Sequence, residues 1–216
     1  VRNGGGPLVE KKRIGSDAGE PIAWQKTNSH QTDETYELCR CGHSSTKPFC
    51  DGTHERIAFD GTETALTTLT SERQETINGQ DIKVKVDRSF CMHSKFCFNK
   101  ASGIRKLIPE SAETTIKSNI IAMVDRCPSG AFSYELPVEG KFQTIEATVP
   151  KEIAVIGDDQ IQNAAGPLWV TGEIKIVRSD GGPVEVRNRV TLCRCGESKN
   201  KPFCDGSHIK IKFKGY

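Results

Sequence analysis

The sequence predicts an α+β protein made of two copies of one strand-rich unit with a different module between them. Three observations carry that expectation. The sixteen residues from Cys39 to His54, CRCGHSSTKPFCDGTH, return from Cys193 to His208 as CRCGESKNKPFCDGSH, identical at twelve positions. Chance does not repeat a four-donor pattern, C-x-C-x8-C-x3-H, in this way. Short strand-like runs lead into each cysteine pair. Between the copies come a period-two run, a cysteine loop, a helix-period stretch and a returning strand, in that order.

Taken along the chain, residues 1–61 form the first unit. Gly4-Gly5-Gly6-Pro7 reads as a flexible start rather than a phosphate loop, because no Gly-Lys-Ser/Thr follows. Leu8-Val9 is a short strand, Gly19-Glu20-Pro21 a turn, and Tyr36-Glu37-Leu38 a strand entering Cys39. Residues 62–80 are polar and read as a linker. The middle module, 81–149, opens with the alternating strand Asp81–Val86 and runs into Cys91-Met92-His93-Ser94-Lys95-Phe96-Cys97. Ser111 is the expected N-cap of a helix whose face carries Ile116, Ile120, Met123, Val124 and Cys127. Pro128 ends that helix, and Ala131–Tyr134 is a strand. Residues 150–162 read as a second linker. The unit at 163–216 repeats the first: Gly166-Pro167-Leu168 matches Gly6-Pro7-Leu8, and Gly182-Pro183 marks the turn. Val190–Leu192 enters Cys193, and Phe213 and Gly215 stand as far beyond His208 as Phe59 and Gly61 stand beyond His54.

Hydrophobic residues make up only 35% of the 216, which favours several small modules stapled by metal over one large core. Thirty basic against 28 acidic residues give a net charge of +2, without the strongly basic field of a dedicated nucleic-acid binder. No apolar run approaches the length of a membrane span. The nine cysteines fall into three triplets: Cys39, Cys41, Cys50; Cys91, Cys97, Cys127; and Cys193, Cys195, Cys204. Disulfides would leave one over, whereas cofactor ligation uses all nine. That usage points to thiolate ligands in a reducing, cytoplasmic setting, with an N-terminal leader left open. Cys39, Cys41, Cys50 and His54, like Cys193, Cys195, Cys204 and His208, suit either zinc or an iron–sulfur cluster. Zinc knuckles usually place two residues between paired cysteines, and here there is one. Lys47 and Lys201 read as solvated, His30 and His43 as surface residues, and Asp51 and Asp205 as caps of a short helix after the third cysteine.

With Ser44, Pro48 and Cys50-Asp51-Gly52-Thr53-His54 in one copy, and Ser198, Pro202 and Cys204-Asp205-Gly206-Ser207-His208 in the other, both ends resemble the CDGSH iron–sulfur domain, the mitoNEET-like family. The resemblance implies one [2Fe-2S] cluster per motif, with two cysteines on one iron and cysteine plus histidine on the other. Single-motif members pair as dimers, so a β-rich intramolecular pseudo-dimer in a monomeric chain is expected. The pattern C-x5-C with a later Cys-Pro resembles a divergent single-cluster ferredoxin. The family's midway ligand is replaced here by Ser94, beside His93. Three thiolates suit a [3Fe-4S] cluster, which is the expectation; a [4Fe-4S] cluster needs His93, Ser94 or water as well.

The implied protein carries three clusters and transfers single electrons to or from a redox partner protein. No Ser–His–Asp set, nucleotide fingerprint or paired-carboxylate motif marks it as an enzyme. Alternative readings are a cluster donor or redox and pH sensor, the redox subunit of a larger enzyme, and last a zinc-based interaction module.

Overall fold

The computed structural model describes residues 6–17, 19–99, 102–158 and 164–215. Helices and sheets are both present, as an α+β chain requires. Strands β1 (Leu8–Gly15) and β2 (Pro21–His30) form a hairpin closed at Ser16–Glu20. The middle of the chain supplies β3 (Glu75–Asn78), β4 (Lys83–Val86), β5 (Phe132–Val138) and β6 (Lys141–Ile145). These make a four-stranded antiparallel sheet in chain order. Then β7 (Glu152–Asp158), β8 (Ala164–Thr171) and β9 (Arg189–Leu192) join the hairpin in a five-stranded sheet of order β2-β1-β7-β8-β9. Among the described residues only the β1–β7 pair is parallel, with Leu8 opposite Ile153.

Both stretches expected as linkers contain strands. Residues 75–78 pair with β4 at the edge of the smaller sheet, and 152–158 form the central strand of the larger. Ile153 and Val155 face one core with Leu8, Leu168 and Leu192, while Ala154 and Ile156 face another with Val9 and Trp169. A strand covered on both faces reads as a continuous apolar run and loses the alternation that marks a half-buried strand. The opening Gly4-Gly5 lies outside the described residues, as do 159–163 of the second expected linker. Tyr36–Leu38 contributes only one bridge, Leu38 to Phe49, rather than a strand.

Five helices are described: α1 (Thr53–Arg56), α2 (Thr70–Arg73), α3 (Ile104–Leu107), α4 (Thr114–Arg126) and α5 (Ser207–Lys210). The longest, α4, buries Ile120, Met123 and Val124 against Ile82, Val84 and Tyr134 of the smaller sheet. It starts later than expected, because the Ser111 hydroxyl already accepts the Gln80 amide (3.0 Å) and Glu113 occupies the cap position. It stops where Pro128 demands: Cys127 turns extended at φ −68°, ψ 115°.

The middle module shares the core of the larger sheet. Phe90 packs edge-on against Phe203 (4.9 Å), and Trp24 stacks between Phe96 and Trp169. Buried Arg189 of β9 donates to the carbonyls of Cys127 (2.8 Å) and Val124 (3.0 Å), closing the C-terminal end of α4. Among the described residues no helix is long and apolar enough to cross a membrane.

Candidate metal centres

The two terminal loops are built alike. Cys39 N–H donates to Pro48 O (2.8 Å) and Cys50 N–H to Glu37 O (2.9 Å); Cys193 and Cys204 repeat this with Pro202 and Thr191 (both 2.9 Å). Ser44 and Ser198 hydroxyls close the loops on the carbonyls of Phe49 and Phe203 (2.7 and 2.6 Å). Asp51 and Asp205 are loop clamps rather than the expected helix caps. Asp51 accepts the amides of Thr53 and Ser45, Asp205 those of Ser207 and Lys199, and left-handed Gly52 and Gly206 stand at the N-cap positions. Hydrogen bonds from Ser45 and then Thr53 hold the Asp51 carboxyl well below its usual range. Burial pushes Asp205 up, but the bonds from Lys199 and Ser207 outweigh it and the net shift is down.

Within each loop the donors come in close pairs. Cys39 and Cys41 Sγ are 3.8 Å apart, as are Cys193 and Cys195 Sγ. Cys50 Sγ lies 3.3 Å from His54 Nδ1, and Cys204 Sγ 3.3 Å from His208 Nδ1. A tetrahedral metal with bonds of about 2.3 Å separates its ligands by about 3.8 Å, so each pair can hold one ion. The nine cysteines are free thiols, none in a disulfide. Among the described residues, no group of three or more His, Cys, Asp or Glu converges as a single-ion site does. Donors in twos rather than fours fit a two-metal core better than one zinc.

The thiols respond to their surroundings. The S–H of Cys195, then nearby amides and Arg40, lower Cys193, and the same sharing together with burial pushes Cys195 up. Burial first, and then neighbouring cysteines, with Asp205 among the groups around Cys204, drive Cys204 and Cys41 up. Buried thiolates are costly without a cation, and a bound metal supplies one.

The two loops also touch each other reciprocally. Gly42 and Gly196 both have φ +84°; a Cβ on Gly42 would lie 2.6 Å from Cys195 O, and one on Gly196 2.5 Å from Cys41 O. Arg40 crosses from the first loop to donate to the carbonyls of Cys193 and Pro202, the latter at 2.8 Å, and its charge acts on Cys193, Cys204 and Cys39. Lys47 and Lys201 are not simply solvated: Lys47 Nζ donates to Ser44 O and Lys201 Nζ sits over the Phe59 ring. His43 is exposed, but His30 is tied to Glu10 (2.8 Å) and packs edge-on to Phe49.

Cys91, Cys97 and Cys127 line one cavity of about 670 Å³, together with His93 and buried Ser94. Asp87 starts the turn before Cys91 by accepting from Ser89 N (3.0 Å), and Arg73 anchors Asp87 at 2.9 Å. His93 and Lys95 hold the loop in the left-handed region at φ 61° and 66°, unusual for side-chain-bearing residues. Burial pushes Cys97 up to about 11 and raises Cys91 as well. The same loop covers the second terminal site, since a Cβ on Gly206 would meet the His93 ring at 2.5 Å. So the terminal sites differ: the His54 ring is 42% exposed, whereas His208 and Cys204 are buried.

The inter-loop role of Arg40 was invisible in sequence apart from one signal. Arg40 and Arg194 occupy the same place between paired cysteines in both copies. Two segments of the chain, residues 4–55 and 165–209, match the family described as iron-binding zinc finger CDGSH type. Residues 77–137 match the family described as divergent 4Fe-4S mono-cluster. No curated protein and no solved structure matches the chain.

Proposed function

Because the chain joins two CDGSH-type iron-binding segments to a divergent 4Fe-4S mono-cluster segment, it is an iron–sulfur protein, and we propose that it relays single electrons through three clusters. The paired donors, repeated at the same spacing in both halves, carry this reading. Cys39 and Cys41 hold one iron and Cys50 and His54 the other of a [2Fe-2S] cluster; Cys193, Cys195, Cys204 and His208 do the same at the far end. Cys91, Cys97 and Cys127 hold a [3Fe-4S] cluster. The clusters supply reversible one-electron chemistry when bound. The chain's residues exclude water from the buried donors, fix their spacing, and place Arg40 between the terminal sites. The reciprocal Gly42–Cys195 and Gly196–Cys41 contacts support an intramolecular pseudo-dimer, since an isologous interface has this exchange of partners. The chain is read as no enzyme by itself.

Iron and sulfide analysis tests the reading. Purified protein should hold about seven irons per chain, or eight if the middle cluster is complete, the sum of the three clusters. A value near four removes the middle cluster, and zinc as the main metal removes all three. The exposed His54 favours a second role for the first site, cluster donation. Transfer of iron and sulfide to an apo-ferredoxin, with the other clusters retained, would establish it.

Ser94 is buried and lines the middle cavity, at the position where a midway ligand belongs. Ser94→Cys should add the missing thiolate and convert the cluster to [4Fe-4S]. Electron paramagnetic resonance reads the change: the oxidised [3Fe-4S] signal present in the parent should vanish. A parent prepared anaerobically that lacks that signal overturns the assignment.

A further inference from the structure

We propose that the mouth of the middle cavity is the docking surface for an acidic electron-transfer protein. The proposal rests on the reading of Cys91, Cys97 and Cys127 as a redox site. The cavity is lined by Arg88, His93, Lys95, Arg105 and Lys106, and by no Asp or Glu. All five are exposed. Arg105 is held by Glu75 (2.9 Å), which also feels the charge of Arg88, and among the described residues Arg88, Lys95 and Lys106 form no direct ion pair. In a chain whose charges nearly cancel, this is a local concentration of one sign around a donor-lined opening. Low-dielectric walls lined by one sign of charge focus the field outward and steer oppositely charged partners.

Beside the cations stands an aromatic anchor. Phe98 follows Cys97 directly and is 63% exposed. Its ring lies against Gly103, where a Cβ would come within 2.8 Å, and its backbone bridges to the same residue. A ring pinned on one face and open on the other is preorganised for contact, the pattern of an interface hot spot. Cations lining the same cavity as an exposed aromatic next to a cluster ligand fit a partner with both carboxylates and an apolar contact. One electron leaves the partner and one arrives at the middle site, with no bond made or broken and no proton moved.

The experiment uses the cluster-loaded chain and reduced plant-type ferredoxin as an acidic probe, with bleaching followed by stopped flow. The wild-type rate constant should fall steeply as salt rises. Arg88→Glu/Lys95→Glu/Lys106→Glu should slow reduction by ferredoxin at least about ten-fold at low salt, while reduction by dithionite, a small anion with no docking surface, falls by much less. Phe98→Ala, which keeps every charge, should weaken saturation by ferredoxin about five-fold and leave the salt slope intact. Lys106→Glu alone serves as the milder variant and should show a partial loss. A triple variant reduced by ferredoxin at the parent rate overturns the proposal. So does equal loss with dithionite, or inhibition of this bleaching by a single-stranded oligonucleotide at a concentration below that at which ferredoxin saturates. An iron-replete parent that is insensitive to these charges sinks only the docking surface; a parent without iron sinks the cluster reading beneath it.

Discussion

An iron chelator such as bipyridyl should strip the Cys39–His54 site at least about ten-fold faster than the Cys193–His208 site, because loss of a ligand needs a local opening that burial opposes. The donor sets are the same, so the difference lies in what covers them. His54 has its ring 42% exposed and Cys50 is half-buried, while Cys204 and His208 are enclosed. The cover is the middle module: His93 lies over Gly206, and Met92 packs in the cluster that includes Cys204. Decay of visible absorbance should therefore be at least biphasic. His54→Ala should abolish the fast terminal phase and His208→Ala a slower one. His93→Ala should speed the slower phase alone. Identical rates for the two terminal sites, or a fast phase assigned to His208, would contradict the asymmetry.

Gly196→Ala should cost about 3 kcal/mol of stability, while Gly52→Ala should cost only about 1. Both glycines are left-handed, at φ +84° and +78°, so the backbone penalty is shared. They differ in surroundings. Nothing lies within 4 Å of a Cβ on Gly52, but one on Gly196 meets the backbone carbonyl of Cys41, which has no flexible end to swing away. The excess measures how tightly the two loops are pressed together. For a chain of this size each kcal/mol moves the melting point by about 2–4 °C, so thermal unfolding separates the two variants. Equal losses would show that the loops do not rely on each other.

What was legible in sequence was what is local. The paired donors, the loop-closing serines and the end of α4 at Cys127-Pro128 all depend on residues within a few positions. The docking of three segments on one another is non-local and left weaker traces. Ile153-Ala154-Val155-Ile156 was itself a readable signal, an apolar run suited to a strand buried on both faces, yet nothing nearby names Leu8 and Val9 as its neighbours. Ser111 looked like a helix cap because its hydroxyl could serve one; Gln80, 31 residues earlier, had taken it. His93 and Arg40 gained their roles only once separate loops met.

The parallel pairing of β1 with β7 also sets a timetable for synthesis. Ile153, the partner of Leu8, is made 145 residues after it. At about 5–20 residues per second, the first hairpin, complete at His30, waits roughly 6–25 s for Ile153 of the strand that pairs with it. During that interval Cys39, Cys41, Cys50 and His54 are already outside the tunnel, and the facing loop with Cys195 has yet to be made. The first site thus spends its early life as an unsupported half, open to premature metal capture or oxidation. A nascent chain halted before residue 152 should expose Cys39 and Cys41 to alkylation, and a chain that includes the 193–208 loop should shield both.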